Sequence, residues 1–418
     1  MSKQLRPPHS SLRGKSVAMV LFSTYPSDPR ARRAAEALVE EGMVVDLICL
    51  VGNENELSRE IFNGVNIIRL PLIRRRGTRL DYFFRYSTVI IFAFVILSVR
   101  SLRCRYDLVY VHNMPDILVL SGVIPKAFGA KVILDLHDPM PELMMTIFDI
   151  DYESLMVRFL KRIEKWSIGF ADSVLTPNIA FKRLFDARSC QSEKISVVMN
   201  SPDNKIFCHH PPRLPASTTH TSSKRFVVMY HGSLVERNGV DLAVDAIGRI
   251  RPSMPSVELQ IYGHSTSFLE RVMVSVQKQG LQNAVKYLGP KRQEDLVEVI
   301  EECQVGIIPN HRSPFTELNM PTRIFEYLAL GKPVIAPFTS GILDYFNSES
   351  LFFFELGSSV DLARQIEYVF SHPTEALEMV KRGQVVYQTH DWSQEKLVLV
   401  NLVKELLSGE KDARSTES

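Results

Sequence analysis

Glu326 is the only carboxylate in NMPTRIFEYLALGKPVIAP (319–337). An ionised carboxylate on a short helix can accept two hydroxyl hydrogen bonds, the pair that a ribose offers. Thr322 and Arg323 lie four and three residues earlier, so all three share one helical surface. Arg237, in GSLVERNG (232–239), sits between an apolar run and a helical pattern. A guanidinium beside a helix N-terminus suits a phosphate. Glycines close successive apolar runs, at Gly232 (before Ser233), Gly263 and Gly289. One such glycine only turns the chain; three in succession point to a ligand approaching the backbone. In the first half, His137 and Asp138 open HDPMPE (137–142), which ends on Glu142. His112 in YVHNMPD, and Asp28 with Arg30 in YPSDPR, are polar or charged residues at or just after the ends of apolar runs. Neither GxxxxGK(S/T) nor GxGxxG occurs, which disfavours a nicotinamide or flavin enzyme.

These residues need rigid supports, and the hydrophobic pattern supplies them. SVAMVLFST (16–24), VVDLICL (44–50), VNIIRL (65–70), DLVYVH (107–112), KVILDLH (131–137), SVLTP (173–177) and ISVVMN (195–200) read as strands, with helical patterns interleaved. The alternation restarts with FVVMYHG (226–232), VELQIYG (257–263), AVKYLG (284–289), CQVGIIP (303–309), PVIAP (333–337) and LFFFEL (351–356). Strands that are apolar throughout and alternate with helices predict parallel sheets covered on both faces. The fold class is therefore α/β, with two Rossmann-like doubly wound domains facing a cleft, and ligands are expected outside the carboxyl ends of the strands. A helix over about 321–330 is expected to carry Pro321 in its first turn and to bury Ile324, Phe325, Leu328 and Ala329. The pattern breaks over 201–224, rich in Pro, Ser and Thr. The expected divisions are a flexible 1–15, a first domain 16–205, a linker 206–224, a second domain 225–388, a helix 389–408 returning to the first domain, and a disordered tail 409–418.

The chain has 418 residues, 45% apolar and 23% charged, with net charge +2, so no global field calls for nucleic acid. Five cysteines (Cys49, Cys104, Cys190, Cys208 and Cys303) form no CxxC pair and are odd in number. That favours a reducing cytosol. Residues 1–15 lack the apolar stretch of a signal peptide. VIIFAFVILSV (89–99) is flanked by Arg74, Arg75, Arg76, Arg79, Arg85, Arg100, Arg103 and Arg105. Eleven apolar residues fall short of the roughly twenty that span a bilayer. The segment 80–103 is expected either to lie in an anionic membrane interface or to be a core helix with solvated ends.

Taken together, the residues resemble the retaining nucleotide-sugar glycosyltransferases of family four, which have the GT-B fold, over about 16–408. MPTRIFEYLALGKPVIAP looks like that family's P-(S/T)-K-x-x-E-Y-x-A-x-G-x-P-V. YHGSLVERNGVDLAVDAI looks like its donor-phosphate loop, and VILDLHDPMPE like its donor-side histidine loop. The resemblance implies that Glu326 holds the donor ribose, and that Arg237 and the N–H groups near Ser233 hold the diphosphate. It also implies that His137 touches the donor sugar or its phosphate, that Thr322 and Arg323 line the sugar–phosphate pocket, and that Gly232 and Gly263 lie by the nucleotide. His137, Arg237 and Glu326 are thus the expected catalytic set, with acceptor contacts from Asp28, Arg30, His112 and Asp138. No metal and no cofactor are implied beyond the nucleotide-diphosphate sugar. The acceptor would be a polysaccharide or lipid-linked glycan, at the cytoplasmic side of a membrane. Ser233 and Asn238 stand where many relatives have arginine and lysine, and a Glu-x7-Glu spacing would fall on Leu318, one residue from Glu317. Two alternatives follow: a nucleotide-sugar epimerase, or a non-catalytic partner subunit of a glycan-assembly complex.

Overall fold

The computed structural model describes residues 11–53, 56–73, 79–212 and 225–409. Contacts divide the chain into two compact units, one of residues 1–145, 149–199 and 395–418, the other of 146–148 and 200–394. The expected break at 206–224 is described only to residue 212, and Arg74–Arg76, 1–10 and 410–418 also lie outside the described residues.

The first unit is built on eight strands: β1 (Ser16–Thr24), β2 (Val44–Val51), β3 (Arg59–Phe62), β4 (Val65–Ile73), β5 (Leu108–His112), β6 (Lys131–Asp135), β7 (Ser173–Thr176) and β8 (Ile195–Val197). Their order is β3-β4-β2-β1-β5-β6-β7-β8. All neighbours are parallel except β3 and β4. The sheet is parallel as expected except at its edge, where β3 runs antiparallel to β4. Asn63 and Gly64 both take positive φ, 47° and 81°, the conformation of a two-residue hairpin turn. An Asn-Gly pair between REIF and VNII was the legible signal for it. The central strands are covered on both faces, and Val17, Ala18, Met19 and Val20 have no exposed surface.

The second unit carries six parallel strands: β9 (Phe226–His231), β10 (Val257–Tyr262), β11 (Val285–Tyr287), β12 (Val305–Ile307), β13 (Val334–Pro337) and β14 (Phe352–Phe354). Their order is β11-β10-β9-β12-β13-β14. Chain order reverses beside β9, between β10 on one side and β12 on the other, which is a topological switch point. The helix Val240–Ile250 buries Val240, Ala243, Val244 and Ile247 at helical spacing against this sheet.

The arginine-flanked helix runs from Arg79 to Ser101, 23 residues, twice the apolar run read from sequence. Its Phe84–Ser101 stretch is long and apolar enough to cross a membrane by length and composition, with 22% of it buried. One stripe (Val89, Ala93 and Leu97) is fully buried in the first unit. The opposite face leaves Phe84, Ile91, Phe92, Val95 and Val99 exposed. The last helix, Trp392–Ser408, starts in the second unit and belongs to the first from Glu395 onward. Glu395 accepts a hydrogen bond from the Met199 N–H (2.7 Å), Lys404 pairs with Glu41 (3.0 Å), and Lys396 pairs with Glu40.

Candidate functional site

Each unit gathers a polar cluster at the carboxyl end of its central strands. In the second, β9 ends on Tyr230 and His231, both buried. The helix beneath them begins at Arg323, with Thr322 as its cap residue and no side-chain cap bond. Pro321 therefore precedes the helix rather than occupying its first turn, although its carbonyl accepts from the Ile324 N–H at 3.1 Å. Glu326 is 8% exposed, and its Oε2 lies 3.3 Å from His231 Nε2. The contact is not a hydrogen bond, because His231 Nε2 has no such partner. Burial, reinforced by the Arg323 charge, pushes the His231 imidazole down to about 3, so it stays neutral. Arg323 is held at the same edge by Tyr230. Its guanidinium lies over the Tyr230 ring, 4.8 Å from the centroid, and donates to the Tyr230 hydroxyl at 3.2 Å.

The loop after β9 is tied to the same edge. The Tyr230 hydroxyl and the Asn238 amide donate to the Ser233 carbonyl, at 2.9 and 2.7 Å. Asn238 is thus a buried strut of the loop, while Ser233 is exposed. The Arg237 guanidinium lies 5.8 Å from the centre of the Phe315 ring, and its carbonyl accepts from the His311 N–H at 3.0 Å. Gly232 and Gly263 have φ of 125° and 153°. A Cβ at Gly232 would strike the Arg323 guanidinium, and one at Gly263 would strike the Gly232 carbonyl. Both glycines are therefore required where β9 and β10 end. So Gly232, Ser233, Arg237, Gly263, Thr322, Arg323 and Glu326 converge on one strand-end edge. Sequence reading missed the roles of Tyr230, His231 and Asn310. Asn310 is fully buried just past β12, and neither polar atom of its side chain has a hydrogen-bond partner. Glu317, one residue off the expected spacing, accepts from the Ser340 N–H (3.2 Å) and so anchors the short helix Ser340–Leu343.

In the first unit, β5 and β6 place His112, Asp135 and His137 together. His112 Nδ1 and His137 Nε2 are 2.9 Å apart, and each is 3.5 Å from Asp135 Oδ2. Asp135 is fully buried. Arg30 grips it from Nε and Nη2 (2.7–3.1 Å), and the Tyr110 hydroxyl donates to it at 2.8 Å. Burial alone would raise the Asp135 carboxyl, but the Arg30 guanidinium that grips it holds it well below the usual range. The remaining Arg30 arm, Nη1, donates to the Val198 carbonyl at 2.8 Å. Arg30 is thus buried and engaged within the unit, and it meets the site through Asp135 instead of reaching an acceptor. Asp28 caps the helix Pro29–Glu40, accepting from the Arg30 and Ala31 N–H groups at 3.2 and 3.4 Å. Burial pushes its carboxyl up, but the imidazoles of His137 and His112 outweigh this and lower it. Asp28, His112 and His137 therefore share one pocket.

The HDPMPE loop is shorter than expected, since the helix Met140–Phe148 begins within it. Glu142 is buried there and pairs with Arg188 (2.5 Å), which also holds Glu164 (2.5 Å). That removes Glu142 from the loop's chemistry. The Asp138 carbonyl accepts from the Asn113 amide (2.8 Å), whose oxygen in turn accepts from the His137 N–H (2.7 Å). His112, Asp135 and His137 bring ligand-type atoms within 4.8 Å of one another. A cation there would have to share Asp135 with the Arg30 guanidinium, which opposes it.

Comparison with known proteins agrees with this fold. Residues 27–201 match the model of the glycosyl transferase 4-like domain, and residues 217–386 that of glycosyl transferases group 1. Sucrose-phosphate synthase from Thermosynechococcus elongatus superposes with TM-score 0.76 at 18% identity, covering 95% of this chain and 100% of that one. HepE of Anabaena, solved with UDP-glucose, gives TM-score 0.69 at 14% identity, covering 93% of this chain and 99% of that one. Glycogen synthase of Mycobacterium tuberculosis is 21% identical over 186 residues, 44% of this chain. That match spans 42% of the curated relative's length. With both halves matched and the two-domain fold shared, the chain belongs to the group 1 glycosyl transferases and has the GT-B fold.

Proposed function

We propose that this glycosyltransferase moves a hexosyl or N-acetylhexosaminyl group from a nucleoside-diphosphate sugar to an acceptor hydroxyl, with retention at the anomeric carbon. The observation that carries this reading is Glu326: a buried carboxylate at a strand-end edge, with a neutral imidazole beside it and arginines on the same edge. A carboxylate so placed can accept both ribose hydroxyls. Arg237 and the N–H groups of 232–239 are assigned to the diphosphate, and Arg323 and Thr322 to the sugar–phosphate region. As the glycosidic bond breaks, positive charge grows at the sugar and negative charge on the leaving diphosphate, which the guanidiniums stabilise more in the transition state than in the ground state. A departing phosphate oxygen can take the acceptor proton, so the paired carboxylates of the hydrolases are not needed. His137, with Asp28 and His112 around it, is assigned to the transferred sugar or the acceptor. Solved relatives support a nucleotide donor: HepE of Anabaena was determined with UDP-glucose, and starch synthase IV of Arabidopsis thaliana with ADP and acarbose. Calorimetric titration with UDP, ADP, GDP and their sugar forms tests this. Binding of at least one, lost in Glu326→Ala, is the expected result; no uptake of any of them overturns it.

The acceptor is proposed to be lipid-linked or a growing polysaccharide, met at the cytoplasmic face of a membrane. Supporting this is the exposed apolar face Phe84–Ile91–Phe92–Val95–Val99, with exposed Leu102, Arg103 and Arg105 at its end. The helix Leu155–Phe170 adds exposed Leu155, Phe159 and Trp166 among Arg158, Arg162 and Lys165. Co-sedimentation with phosphatidylglycerol vesicles, abolished in a Phe92→Asp/Val95→Asp variant, is expected; wild-type protein that stays in the supernatant overturns it.

A further inference from the structure

We propose that His112 is a positioning residue that fixes the tautomer of His137, so that His137 presents an Nδ1–H donor to the substrate. Its placement toward substrate rests on the functional reading above, while the tautomer itself does not. His112 is 1% exposed, and its ring stacks on Tyr110 with centroids 4.6 Å apart and planes 16° apart. The Tyr110 hydroxyl is bonded to Asp135, and Asp135 to Arg30, so the plane of the His112 ring is set by a fixed buried frame. Burial pushes the His112 imidazole down despite the nearby Asp135 carboxylate, so the ring is neutral and carries one proton.

That proton has two places to sit. On Nε2 it would be an N–H donor buried with no partner, because Nε2 of His112 meets none. Orphaned buried N–H groups are among the rarest features of folded proteins, rarer than acceptors left without a donor. On Nδ1 it lies between His137 Nε2, at 2.9 Å, and Asp135 Oδ2, at 3.5 Å. The second arrangement wins. Only one proton fits in the 2.9 Å gap between the two rings, so His137 Nε2 is the acceptor there. In its neutral form, His137 then carries its own proton on Nδ1. That nitrogen has no partner among the described residues, and the side chain is 21% exposed. Its backbone N–H is held by the Asn113 side chain, and its ring meets the His112 ring edge-on, with centroids 5.0 Å apart. The outcome is an N–H aimed out of the cluster, suited to a sugar hydroxyl or phosphate oxygen. The chain Arg30–Asp135–Tyr110–His112 dictates it without touching substrate.

The test is the nitrogen spectrum of full-length protein labelled with 15N-histidine, with the His137 signals identified by their loss in His137→Gln. A pyrrole-type Nδ1 and a pyridine-type Nε2 on His137 are expected; the reverse assignment overturns the proposal. His112→Phe keeps the stack on Tyr110 but removes the donor, so His137 should move its proton to Nε2, facing Asp135. His112→Asn puts an amide N–H near the Nδ1 position and should restore the wild-type pattern. A His137 tautomer that is unchanged in folded His112→Phe also overturns the proposal. Should His112→Phe fail to fold, the wild-type spectrum still decides. Failure of nucleotide binding would sink the donor reading and leave this result standing, so the two are separable.

Discussion

At the residue scale the second-unit site is a balance between charge and burial. Glu326 is buried beside an imidazole that burial keeps neutral, so that neighbour brings no positive charge to compete with a ligand's hydroxyls. Glu326→Gln keeps the shape and one acceptor oxygen but loses the charge. Hydrogen bonds to charged groups are worth about 1.5–3 kcal/mol, so donor affinity should fall roughly ten- to hundred-fold. Unfolding should be little changed, which calorimetry and a urea melt on the same sample will show. Gly263→Ala acts on the backbone instead. The positive φ and the Gly232 carbonyl both exclude a methyl group. A loss of about 1–3 kcal/mol is expected, together with weaker nucleotide binding, because the β9 and β10 ends must move apart. Unaltered stability and affinity in this variant would mean that the strand-end geometry is not as described.

Elements decide which chemistry stays outside. The helix Arg79–Ser101 looks uniformly apolar in sequence, yet its faces are unlike. Ala93 is fully buried, whereas Ile91 is 61% exposed. Ala93→Asp should cost several kcal/mol or prevent folding, since it buries an unpaired charge. Ile91→Asp should leave stability within about 0.5 kcal/mol and lower vesicle binding. Equal thermal shifts for the two variants would contradict the packed stripe. The same logic separates Glu142 from Glu326: both are buried acids on short helices, but Glu142 faces Arg188, which binds it internally.

Across the whole molecule, buried titratable groups tilt the stability of the two units in opposite directions. His231 in the second unit has a pKa lowered from 6.5 to about 3. Its unfolded form takes a proton below 6.5 that the folded form refuses, so stability is lost as pH falls from 6.5 toward 3. Asp116 in the first unit is raised from 3.8 to about 7 by burial, with Glu164 adding to it. Its folded form takes a proton that the unfolded form does not hold above 3.8, so stability is gained as pH falls from 7 toward 3.8. From pH 7.5 to 5, wild type should therefore lose about 2 kcal/mol more than His231→Phe, and gain about 2 kcal/mol relative to Asp116→Asn. Urea unfolding of the three proteins at both pH values checks the signs. Parallel pH profiles for all three would contradict it.

Periodicity and turn chemistry by themselves fixed the architecture: alternating apolar strands and amphipathic helices leave little choice but two covered, mostly parallel sheets. The places of Glu326, Arg237 and the strand-end glycines in the fold were legible because their neighbours in sequence are also their neighbours in space. The Asn63-Gly64 hairpin is equally legible, since an Asn-Gly pair between two strand patterns suits a two-residue turn. What only tertiary structure decided depends on contacts between residues far apart in the chain. Arg30 meets Asp135 across 105 positions and Tyr230 meets Arg323 across 93, and no local pattern encodes such a meeting. Nor does local spacing say which charged side chains are neutralised inside the fold, as Arg30 and Glu142 are, and which keep a face for a ligand. That distinction is set by burial and partner geometry, which exist only once the chain has packed.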